Sequence, residues 1–485
     1  MTAETSREFD VIVIGAGAVG ENVADRVVRG GLTAVIIESE LVGGECSYWA
    51  CIPSKALLRP GSVLHSAQVV PGASEAVTGV VDAQAALKNR DWFTNNWQDG
   101  SQVEWLDSAG IELIRGRGRI TGPREVQVDG LDGNSYALKA HHAVVVATGS
   151  TPTIPEIEGL KDIPCWTTRG ATAAKEIPKR FTVLGGGVAG VEMAQAFARL
   201  GSDVTLIARG RLLSSYPEEA ATLVLAGLRA DGVTVHVHTD VERTGKNDDG
   251  SVTVTFDGKT VTADKLLVAS GRHPALANLG LENVGVEARN GKPLRVTTDA
   301  SGLVEGPASD GTSGLWLYAA GDAAGKVLLT HQGKYEARAT ADAIVARANG
   351  KLQGTPKPWS PWAHTANDYA VPSVVFTDPE VASVGPSLEQ ALLQGRNVTG
   401  VELPINVSGS QLHSPDYKGW AQMVVDEDRQ VIIGATFVGP GVAELLHSAT
   451  IAIVGEVKLD RLWHAVPSYP TISEVWLRLL EKYGL

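Results

Sequence analysis

Residues 10–20 read Asp-Val-Ile-Val-Ile-Gly-Ala-Gly-Ala-Val-Gly, an apolar run rich in β-branched residues that passes into a glycine-rich turn. A helical pattern follows and stops at the Gly-Gly of 30–31, and a second apolar run over 33–37 ends at an acid. Glycines at this spacing let the backbone approach a pyrophosphate at a helix N-terminus, and the acid can bind a ribose diol. The stretch therefore predicts a strand–helix–strand unit that binds a dinucleotide through Gly15, Gly17, Gly20 and Glu38.

The same pattern returns in residues 181–192, with its glycines at Gly185, Gly187 and Gly190. The two copies align without a gap. An internal repeat of a dinucleotide-binding unit predicts that the chain binds two dinucleotides.

The two copies differ where their second strands end. Glu38 of the first copy corresponds to Ala208 of the second, which is followed by Arg209 and Arg211. Loss of the carboxylate removes repulsion of a 2′-phosphate, and guanidinium groups can pair with that phosphate. The first site therefore suits FAD, and the second suits NADPH rather than NADH; arginines that merely lie on a surface loop are the alternative.

Residues 43–55 read Gly-Gly-Glu-Cys-Ser-Tyr-Trp-Ala-Cys-Ile-Pro-Ser-Lys, which indicates a turn that runs into a helix. Sulfurs near a helix N-terminus are favoured as thiolates. Two buried structural thiols are the plain alternative, but the nucleotide-binding turn precedes the pair by about 25 residues, as in one βαβ unit. We therefore interpret Cys46 and Cys51 as a redox pair that cycles between disulfide and dithiol.

Composition narrows the class of protein. The chain has 485 residues, 44% hydrophobic and 20% charged, which fits a globular protein of about three domains. Its net charge of −13 argues against nucleic acid or an anionic membrane as the main partner. Three cysteines are too few for a secreted disulfide framework, and the polar first residues do not resemble a signal peptide. We expect a cytoplasmic protein without a membrane span or a metal site.

Further strands end in glycine-containing turns at Thr148-Gly149, at Gly271 and at Gly321-Asp322. An Asp at a strand end beside a cofactor suits a polyol hydroxyl, whereas an ordinary turn or helix-cap Asp is the alternative. His331 begins an alanine-rich helical pattern and is interpreted as a residue near the cofactor rather than as a general base.

These patterns predict an α/β protein with two Rossmann-like domains, for FAD and NADPH, and a C-terminal α+β domain. The predicted divisions are a first FAD-binding part at 1–150, an NAD(P)H-binding domain at 151–280, a second FAD-binding part at 281–353 and a dimerisation domain at 354–485. The last domain carries no cofactor motif, so its expected task is to pair subunits.

The chain resembles the class I flavin-dependent pyridine nucleotide–disulfide oxidoreductases, which include dihydrolipoamide dehydrogenase and the glutathione and mercuric reductases. The resemblance covers essentially the whole length. It rests on an ordered set of motifs: Gly15–Gly20 with Glu38, Cys46–Cys51 with Ile52-Pro53-Ser54-Lys55, Ala147-Thr148-Gly149, Gly185–Glu192, Gly321-Asp322, and Phe376-Thr-Asp-Pro379-Glu380.

The resemblance implies a role for each matching residue. Cys51 would be the thiol beside the flavin and Cys46 the thiol that meets the acceptor. Lys55 would pair with Glu192 near the flavin. The residues implied to bind the cofactors are Gly15, Gly17, Gly20, Glu38, Gly44, Thr148, Gly149, Gly185, Gly187, Gly190, Arg209, Arg211, Gly271, Gly321, Asp322 and His331.

The family forms homodimers in which a C-terminal His-Pro-Thr, with a Glu five residues after the His, completes the partner's active site. Here the matching residues are Tyr469 and Glu474. A phenol with a pKa near 10 is a poor base, so Tyr469 could protonate a leaving thiolate but could not readily deprotonate a dithiol. We therefore expect electrons to flow from NADPH to the acceptor, with His464 as an alternative proton carrier.

The cysteine segment also departs from the family. Glu45 stands where the family has Thr and is expected to raise the pKa of Cys46. Tyr48 and Trp49 are expected to crowd the disulfide and to exclude a large protein substrate.

The predicted function is a FAD-dependent NADPH oxidoreductase that passes electrons through Cys46 and Cys51 to a small disulfide or another small acceptor. Three enzymatic alternatives stay open: direct reduction of a quinone or oxygen by the flavin with a regulatory cysteine pair, and activities like those of dihydrolipoamide dehydrogenase or mercuric reductase. A non-catalytic subunit that keeps FAD for folding is the alternative from another class.

Overall fold

The computed structural model describes residues 5–287, 293–306 and 315–485. The chain divides into two compact units: the first comprises Met1–Ile52, Thr94–Pro152 and Arg272–Asn367, and the second comprises Pro53–Phe93, Thr153–Gly271 and Asp368–Leu485. This division groups the predicted NAD(P)H segment with the C-terminal segment, so the four-part division stays a prediction. Its third part, 281–353, includes residues 288–292 and 307–314, which lie outside the described residues.

Helices occur throughout the described chain. They are α1 (Ala18–Arg29), α2 (Gly44–Tyr48), α3 (Cys51–Gln68), α4 (Ala83–Phe93), α5 (Gly100–Ser108), α6 (Thr168–Thr172), α7 (Val188–Arg199), α8 (Glu218–Ala230), α9 (Thr330–Ala348), α10 (Leu388–Leu393), α11 (Ser408–His413), α12 (Leu446–Val454), α13 (Leu459–Leu462) and α14 (Val475–Tyr483). In the described part of the chain, no helix combines the length and the hydrophobicity that crossing a bilayer requires.

The strands alternate with these helices. They are β1 (Thr5–Ile14), β2 (Ala34–Glu38), β3 (Glu112–Gly122), β4 (Glu125–Gly130), β5 (Ser135–Val146), β6 (Ser150–Pro152), β7 (Arg180–Leu184), β8 (Asp203–Ile207), β9 (Thr234–His236), β10 (Arg243–Lys246), β11 (Val252–Phe256), β12 (Lys259–Ala263), β13 (Lys265–Val268), β14 (Arg272–Pro274), β15 (Leu317–Ala319), β16 (Pro372–Val375), β17 (Glu380–Val384), β18 (Val398–Pro404), β19 (Trp420–Asp426) and β20 (Val431–Gly439).

The first unit is built on a six-stranded sheet in the order β1-β2-β3-β4-β5-β15, in which β1 also pairs with β5. β1 is parallel to β2, with Val11 opposite Ala34 and Ile14 opposite Ile37. Its apolar run is almost fully buried, because a parallel strand is covered on both faces. The predicted strand–helix–strand unit is therefore β1-α1-β2.

The second unit repeats this arrangement in the parallel sheet β13-β7-β8-β9, with β7-α7-β8 as the strand–helix–strand unit. A three-stranded antiparallel sheet, β10-β11-β12, is inserted in the chain between β9 and β13. The C-terminal segment forms the five-stranded antiparallel sheet β16-β17-β20-β19-β18 with its own apolar core. The predicted α/β class, with a Rossmann-like region and a C-terminal α+β domain, is confirmed.

A buried charge cluster joins α3, α7 and the start of β17 within the second unit. The Arg199 guanidinium contacts Asp231 at 3.0 Å and Asp378 at 2.9 Å, and its side chain is only 10% exposed. Gln195 accepts a hydrogen bond from the Asp378 amide at 2.7 Å. The His65 ring contacts the Asp378 carboxylate. That hydrogen bond raises the pKa of His65 above its usual value.

This contact predicts how stability changes with pH. Because the pKa of His65 is raised in the folded protein, protonated His65 contributes stability below its ordinary pKa, and the contribution is lost as pH rises through the raised pKa. Thermal unfolding measured from about pH 6 to about pH 9 should therefore show a larger fall in the midpoint for the parent than for His65→Gln. Equal falls in the two proteins would contradict the assignment.

Candidate active site

The cysteine pair lies where two helices of the first unit begin. Cys46 is in α2, Cys51 is the first residue of α3, and both are partly buried and in the thiol form. Thr330, the first residue of α9, places Oγ1 3.2 Å from the Cys51 sulfur. Cys51 therefore lies where two helices begin, and backbone N–H groups and positive dipole ends at such places favour negative charge on sulfur.

The surroundings of Cys46 disfavour its ionisation. The hydrogen bond with Cys51 and burial, followed by the charge on Cys51, raise the pKa of Cys46. The predicted effect of the Glu45 carboxylate on this pKa stays a prediction.

Close packing of two glycines connects the cysteine helix to the first nucleotide turn. A Cβ added to Gly44 would lie 2.8 Å from the Gly17 Cα, and Gly44 has a φ of +61°. The Gly43 amide donates to the Ala16 carbonyl at 2.7 Å. Only glycine fits at this approach, so the sequence Gly-Gly before Cys46 fixes the pair relative to α1.

The first nucleotide turn has the shape that a dinucleotide requires. A Cβ on Gly20 would lie 1.9 Å from the Gly15 carbonyl oxygen, so α1 can start this close to β1 only with glycine there. Glu38 at the end of β2 accepts hydrogen bonds from the amides of Ala16 and Glu40, each at 2.7 Å. Burial raises the pKa of Glu38. These residues fit FAD, whose pyrophosphate would meet the α1 N-terminus and whose ribose would meet Glu38.

The turns at Gly149 and Asp322 meet in the same unit. Asp322 accepts a hydrogen bond from the Ser150 hydroxyl at 2.6 Å and lies 3.5 Å from Arg272. Thr148 donates to the Ala275 carbonyl at 2.8 Å. Gly149 has a φ of +74°, and His331 is exposed at the second position of α9. The position of Asp322 is compatible with the ribityl contact that the resemblance implies.

Glu336 is a buried acid that the sequence analysis missed. It is 1% exposed, accepts a hydrogen bond from the Gly321 amide at 2.7 Å and another from the Asn367 side chain at 2.6 Å. Burial raises its pKa to about 7. The sequence signal for this residue was a Glu inside an alanine-rich helical pattern. The contact of Glu336 with the Gly-Asp turn depends on the tertiary fold, so the sequence alone did not reveal it.

In the second unit, Lys55 donates to Glu192 at 2.7 Å, and Glu192 is almost fully buried, with 3% of its side chain exposed. The other oxygen of Glu192 accepts from the Phe376 amide at 2.9 Å. The Lys55 ammonium also lies 4.9 Å from the centre of the Phe376 ring. The ion pair that the resemblance implied is thus present in the geometry; its place near a flavin stays a prediction.

The second nucleotide turn repeats the first: Gly185 has a φ of +125°, and a Cβ on Gly190 would lie 2.0 Å from the Gly185 oxygen. Gly187 precedes α7 as its N-cap, and Gly271 has a φ of +113° at the end of the unit. Ala208 is buried at the end of β8, where Glu38 stands in the first copy.

The two arginines that were predicted to bind the 2′-phosphate, Arg209 and Arg211, are arranged differently from each other. Arg209 is exposed. Arg211 instead donates to the carbonyls of Leu213, Ser214 and Tyr216 at 3.2, 2.9 and 2.6 Å. Because these backbone groups occupy its guanidinium, Arg211 holds the loop after β8 in place and is not oriented for the predicted phosphate contact. Sequence spacing could not distinguish the two arginines.

Tyr469 and Glu474 lie in the C-terminal segment. Tyr469 is 74% exposed, whereas Glu474 is buried and its Oε2 has no hydrogen-bond partner among the described residues. His464 is exposed as well. An exposed tyrosine with a neighbouring orphaned carboxyl is compatible with a role at a subunit interface.

The position of Tyr48, one of the two aromatic residues between the cysteines, bears on the expected crowding of the pair. Tyr48 is 1% exposed and packs against Gly43, so it points into the interior of the first unit. The Trp97 indole donates to the Tyr48 carbonyl at 3.0 Å. The expected exclusion of large substrates by Tyr48 therefore has no support from its position.

A cavity of about 380 Å³ opens on the first unit, and sequence analysis did not identify it. It lies between α1 and α5, and it is lined by Glu21, Asn22, Ser101, Gln102 and Trp105. Burial raises the pKa of Glu21 to about 7. Neither cysteine of the pair and none of the predicted cofactor-binding residues is among the residues that line it.

Comparison with known proteins gives two family matches. Residues 9–346 match the pyridine nucleotide-disulphide oxidoreductase model, and residues 371–479 match the dimerisation domain of the same group. The chain belongs to this family. It is therefore a FAD-dependent NAD(P)H disulfide oxidoreductase, as the sequence analysis predicted. The match to the dimerisation domain supports a homodimer.

Individual relatives are similar over nearly the whole chain. A dihydrolipoyl dehydrogenase of Thermus scotoductus is 32% identical over 480 residues, covering 96% of both chains. A mercuric reductase of Acidithiobacillus ferrooxidans is 31% identical and covers 96% of this chain and 81% of that one. Among solved structures, the HOCl-induced flavoprotein disulfide reductase RclA from Escherichia coli has a TM-score of 0.79 at 23% identity, covering 98% of this chain and 99% of that one. The last likeness shows the fold alone.

The burial of Glu192 predicts the effect of removing its cation. Lys55→Met should lower the free energy of unfolding by about 2 kcal/mol, because a buried carboxylate loses its partner. The matched control is Lys161→Met, which breaks an exposed pair with Glu156 that is worth less than about 1 kcal/mol. Urea denaturation measures the free energy of unfolding of both variants. Equal losses of this free energy would contradict the assignment of Lys55 as the partner of a buried carboxylate.

Proposed function

We propose that this protein uses NADPH to reduce a small disulfide, or another small electron acceptor, through FAD and the Cys46–Cys51 pair. The observation that carries the proposal is the Cys51–Thr330 contact at two helix starts, together with the Gly17–Gly44 contact that joins the cysteine segment to the first glycine turn. When bound, FAD supplies two-electron transfer between the nicotinamide and the disulfide.

The exchange step is ordinary thiol chemistry. Cys46 gives its proton to solvent and its thiolate attacks one sulfur of the acceptor; the acceptor S–S bond breaks, and the leaving thiolate takes up a proton and leaves as a thiol. Cys51 then attacks Cys46 in the mixed disulfide, which releases the second thiol and restores the Cys46–Cys51 disulfide. For the whole cycle, NADPH, one proton and one disulfide give NADP⁺ and two thiols, so atoms and electrons balance.

The direction of this flow is supported by the residue at position 469. Oxidation of a dithiol substrate needs a base near pH 7, and a tyrosine hydroxyl is a poor one. We therefore propose that dihydrolipoamide oxidation is not the main activity, although dihydrolipoyl dehydrogenases are among the relatives. In the homodimer, Tyr469 and Glu474 would contribute to the active site of the partner subunit. Three cysteines in 485 residues suit a reducing cytoplasm.

The acceptor can be tested with the cysteines themselves. A panel of low-molecular-weight disulfides, quinones and Hg²⁺ is assayed with NADPH, for the parent and for the Cys46→Ser/Cys51→Ser double variant. Disulfide reduction should fall by at least about 10²-fold in the double variant, because the nucleophile is lost. Cys165→Ser, which replaces the partly buried third cysteine, is the matched control and should keep full activity.

Two results would favour a different activity from the one proposed. Full quinone reduction by the double variant, without disulfide reduction by the parent, would favour direct transfer from the flavin. Preferred turnover of Hg²⁺ would favour the activity named for the mercuric reductase relatives.

The nicotinamide preference rests on Ala208 and Arg209. Replacing both, as Ala208→Glu with Arg209→Ala, should shift the NADPH/NADH ratio of kcat/KM toward NADH by about 10- to 100-fold, the size of a charge-assisted contact. Arg211 is left intact because it holds the loop carbonyls.

The matched control for this test is Arg229→Ala in the last turn of α8, which should leave the ratio unchanged. An unchanged ratio in the Ala208/Arg209 variant would reject the assignment of NADPH.

A further inference from the structure

Glu336 is a carboxyl in the second turn of α9 that none of the roles above uses. The residue is 1% exposed, and a carboxyl at such a position costs stability unless its oxygens are bonded. Oε2 accepts a hydrogen bond from the Gly321 amide at 2.7 Å, and Oε1 accepts one from the Asn367 side chain at 2.6 Å. The carboxyl therefore joins α9 to two other segments of the first unit.

The Gly321 amide uses this acceptor because the strand before it has ended. β15 ends at Ala319, and the amide of Ala320 still donates to the Val146 carbonyl at the end of β5. The next amide along the chain is that of Gly321, and it donates to Glu336 instead of to a strand. A buried backbone amide without an acceptor costs free energy, so Glu336 stabilises the turn that begins at Gly321.

Close packing sets this turn directly against two helices. Gly321 has a φ of +65°, and a Cβ on it would lie 2.7 Å from the Val19 side chain of α1. A Cβ on Gly333 of α9 would lie 2.7 Å from the same side chain and 3.2 Å from the Gly321 Cα. Only glycine fits at both places, so the turn lies on the surface of α9 and the bond to Glu336 fixes it there.

A chain of side-chain amides fixes the orientation of Glu336. Asn367 donates to Glu336 through Nδ2, and its Oδ1 accepts from the Gln332 side chain at 2.6 Å. Gln332 is buried one turn before Glu336, on the same face of α9. The Glu336 carboxyl is thus held at both oxygens, and it cannot turn away from Gly321 without breaking its bond with Asn367.

The contact with Gly321 does not depend on the charge of Glu336. Burial is the largest effect and raises its pKa to about 7, the charge of Asp322 acts in the same direction, and the two hydrogen bonds and Lys326 act against them. A carboxyl keeps an acceptor oxygen in both protonation states. The Gly321 amide therefore finds an acceptor in Glu336 across neutral pH.

We propose that Glu336 is a positioning residue for FAD: by holding the Gly321 amide, it sets the place of Asp322, which would contact the ribityl chain. The inference rests on the proposed function only through FAD binding and this contact of Asp322. The Asp322 carboxylate also accepts from the Ser150 hydroxyl at 2.6 Å. Glu336 thus places the backbone of Asp322, and Ser150 orients its side chain.

The same helix also contacts the redox cysteine. α9 begins at Thr330, whose Oγ1 lies 3.2 Å from the Cys51 sulfur, and it carries Glu336 in its next turn. One helix therefore meets Cys51 at its start and the Gly321 turn through Glu336. By this arrangement Glu336 would help to set the flavin relative to Cys51.

The test measures how tightly the full chain, freed of flavin, binds FAD and ADP. ADP has only the part of FAD that would meet the first glycine turn and Glu38, so its affinity reports damage elsewhere in the unit. Glu336→Met keeps the length of the side chain and removes both acceptor oxygens. It should weaken FAD binding by about 10- to 100-fold, the effect of leaving a buried amide without an acceptor, and should leave ADP binding unchanged.

Two matched variants should bind FAD nearly as the parent does. Glu336→Gln keeps a carbonyl oxygen for the Gly321 amide, and the Asn367 side chain can rotate to accept from the new NH₂ group, so FAD affinity should stay within about threefold. Arg338→Met replaces an exposed residue on the same helix and should leave FAD affinity unchanged.

Two further variants keep the outcome decisive. Asp322→Ala removes the carboxylate that Glu336 is proposed to place, so it should weaken FAD binding and leave ADP binding unchanged. If Glu336→Met does not fold, Glu336→Asp takes its place, because the shorter side chain withdraws its oxygens from Gly321. Its affinity for FAD should then fall while its affinity for ADP stays the same.

The inference is overturned if Asp322→Ala weakens FAD binding and Glu336→Met does not, or if Glu336→Met weakens FAD and ADP binding equally. An unchanged FAD affinity in Asp322→Ala also overturns it, because the contact through which Glu336 acts would be absent. Failure of the proposed function looks different: the variants would bind FAD as expected, while the parent with NADPH would reduce none of the acceptors.

Discussion

The contact between Gly17 and Gly44 is the constraint on which the rest of the site depends. It brings the start of α2 against the start of α1, so the segment that carries Cys46 is fixed to the turn that receives the dinucleotide. A side chain on Gly44 would lie 2.8 Å from the Gly17 backbone and would separate them. The proposed electron transfer requires that the cofactor and the disulfide be held together, and this backbone contact is what would hold them.

The internal repeat explains why one fold can use two dinucleotides for different tasks. Both copies place a glycine turn at a helix start, and they differ at the end of the second strand. Glu38 in the first copy is bonded to two backbone amides, whereas Ala208 in the second leaves that place open. A single carboxylate is thus the main difference between the two sites.

The sequence was sufficient to predict the elements of the fold where a pattern repeats along the chain. It was insufficient to predict the role of a side chain where that role depends on the groups that pack around it. Strand and helix periodicity predicted both nucleotide units, and the resemblance predicted the Lys55–Glu192 pair across 137 residues. The guanidinium of Arg211 turns onto backbone carbonyls, which spacing does not predict. Glu21 and Glu336 were missed because their raised pKa values arise from burial, which exists only in the folded chain.

The claim that Cys46 and Cys51 carry the electrons is tested most directly by counting thiols. In a Cys165→Ser background, the oxidised protein is mixed with NADPH without air, denatured and alkylated, and the modified cysteines are counted by mass spectrometry. The account predicts none before NADPH and two per chain afterwards. An unchanged count, with the flavin reduced, would contradict it.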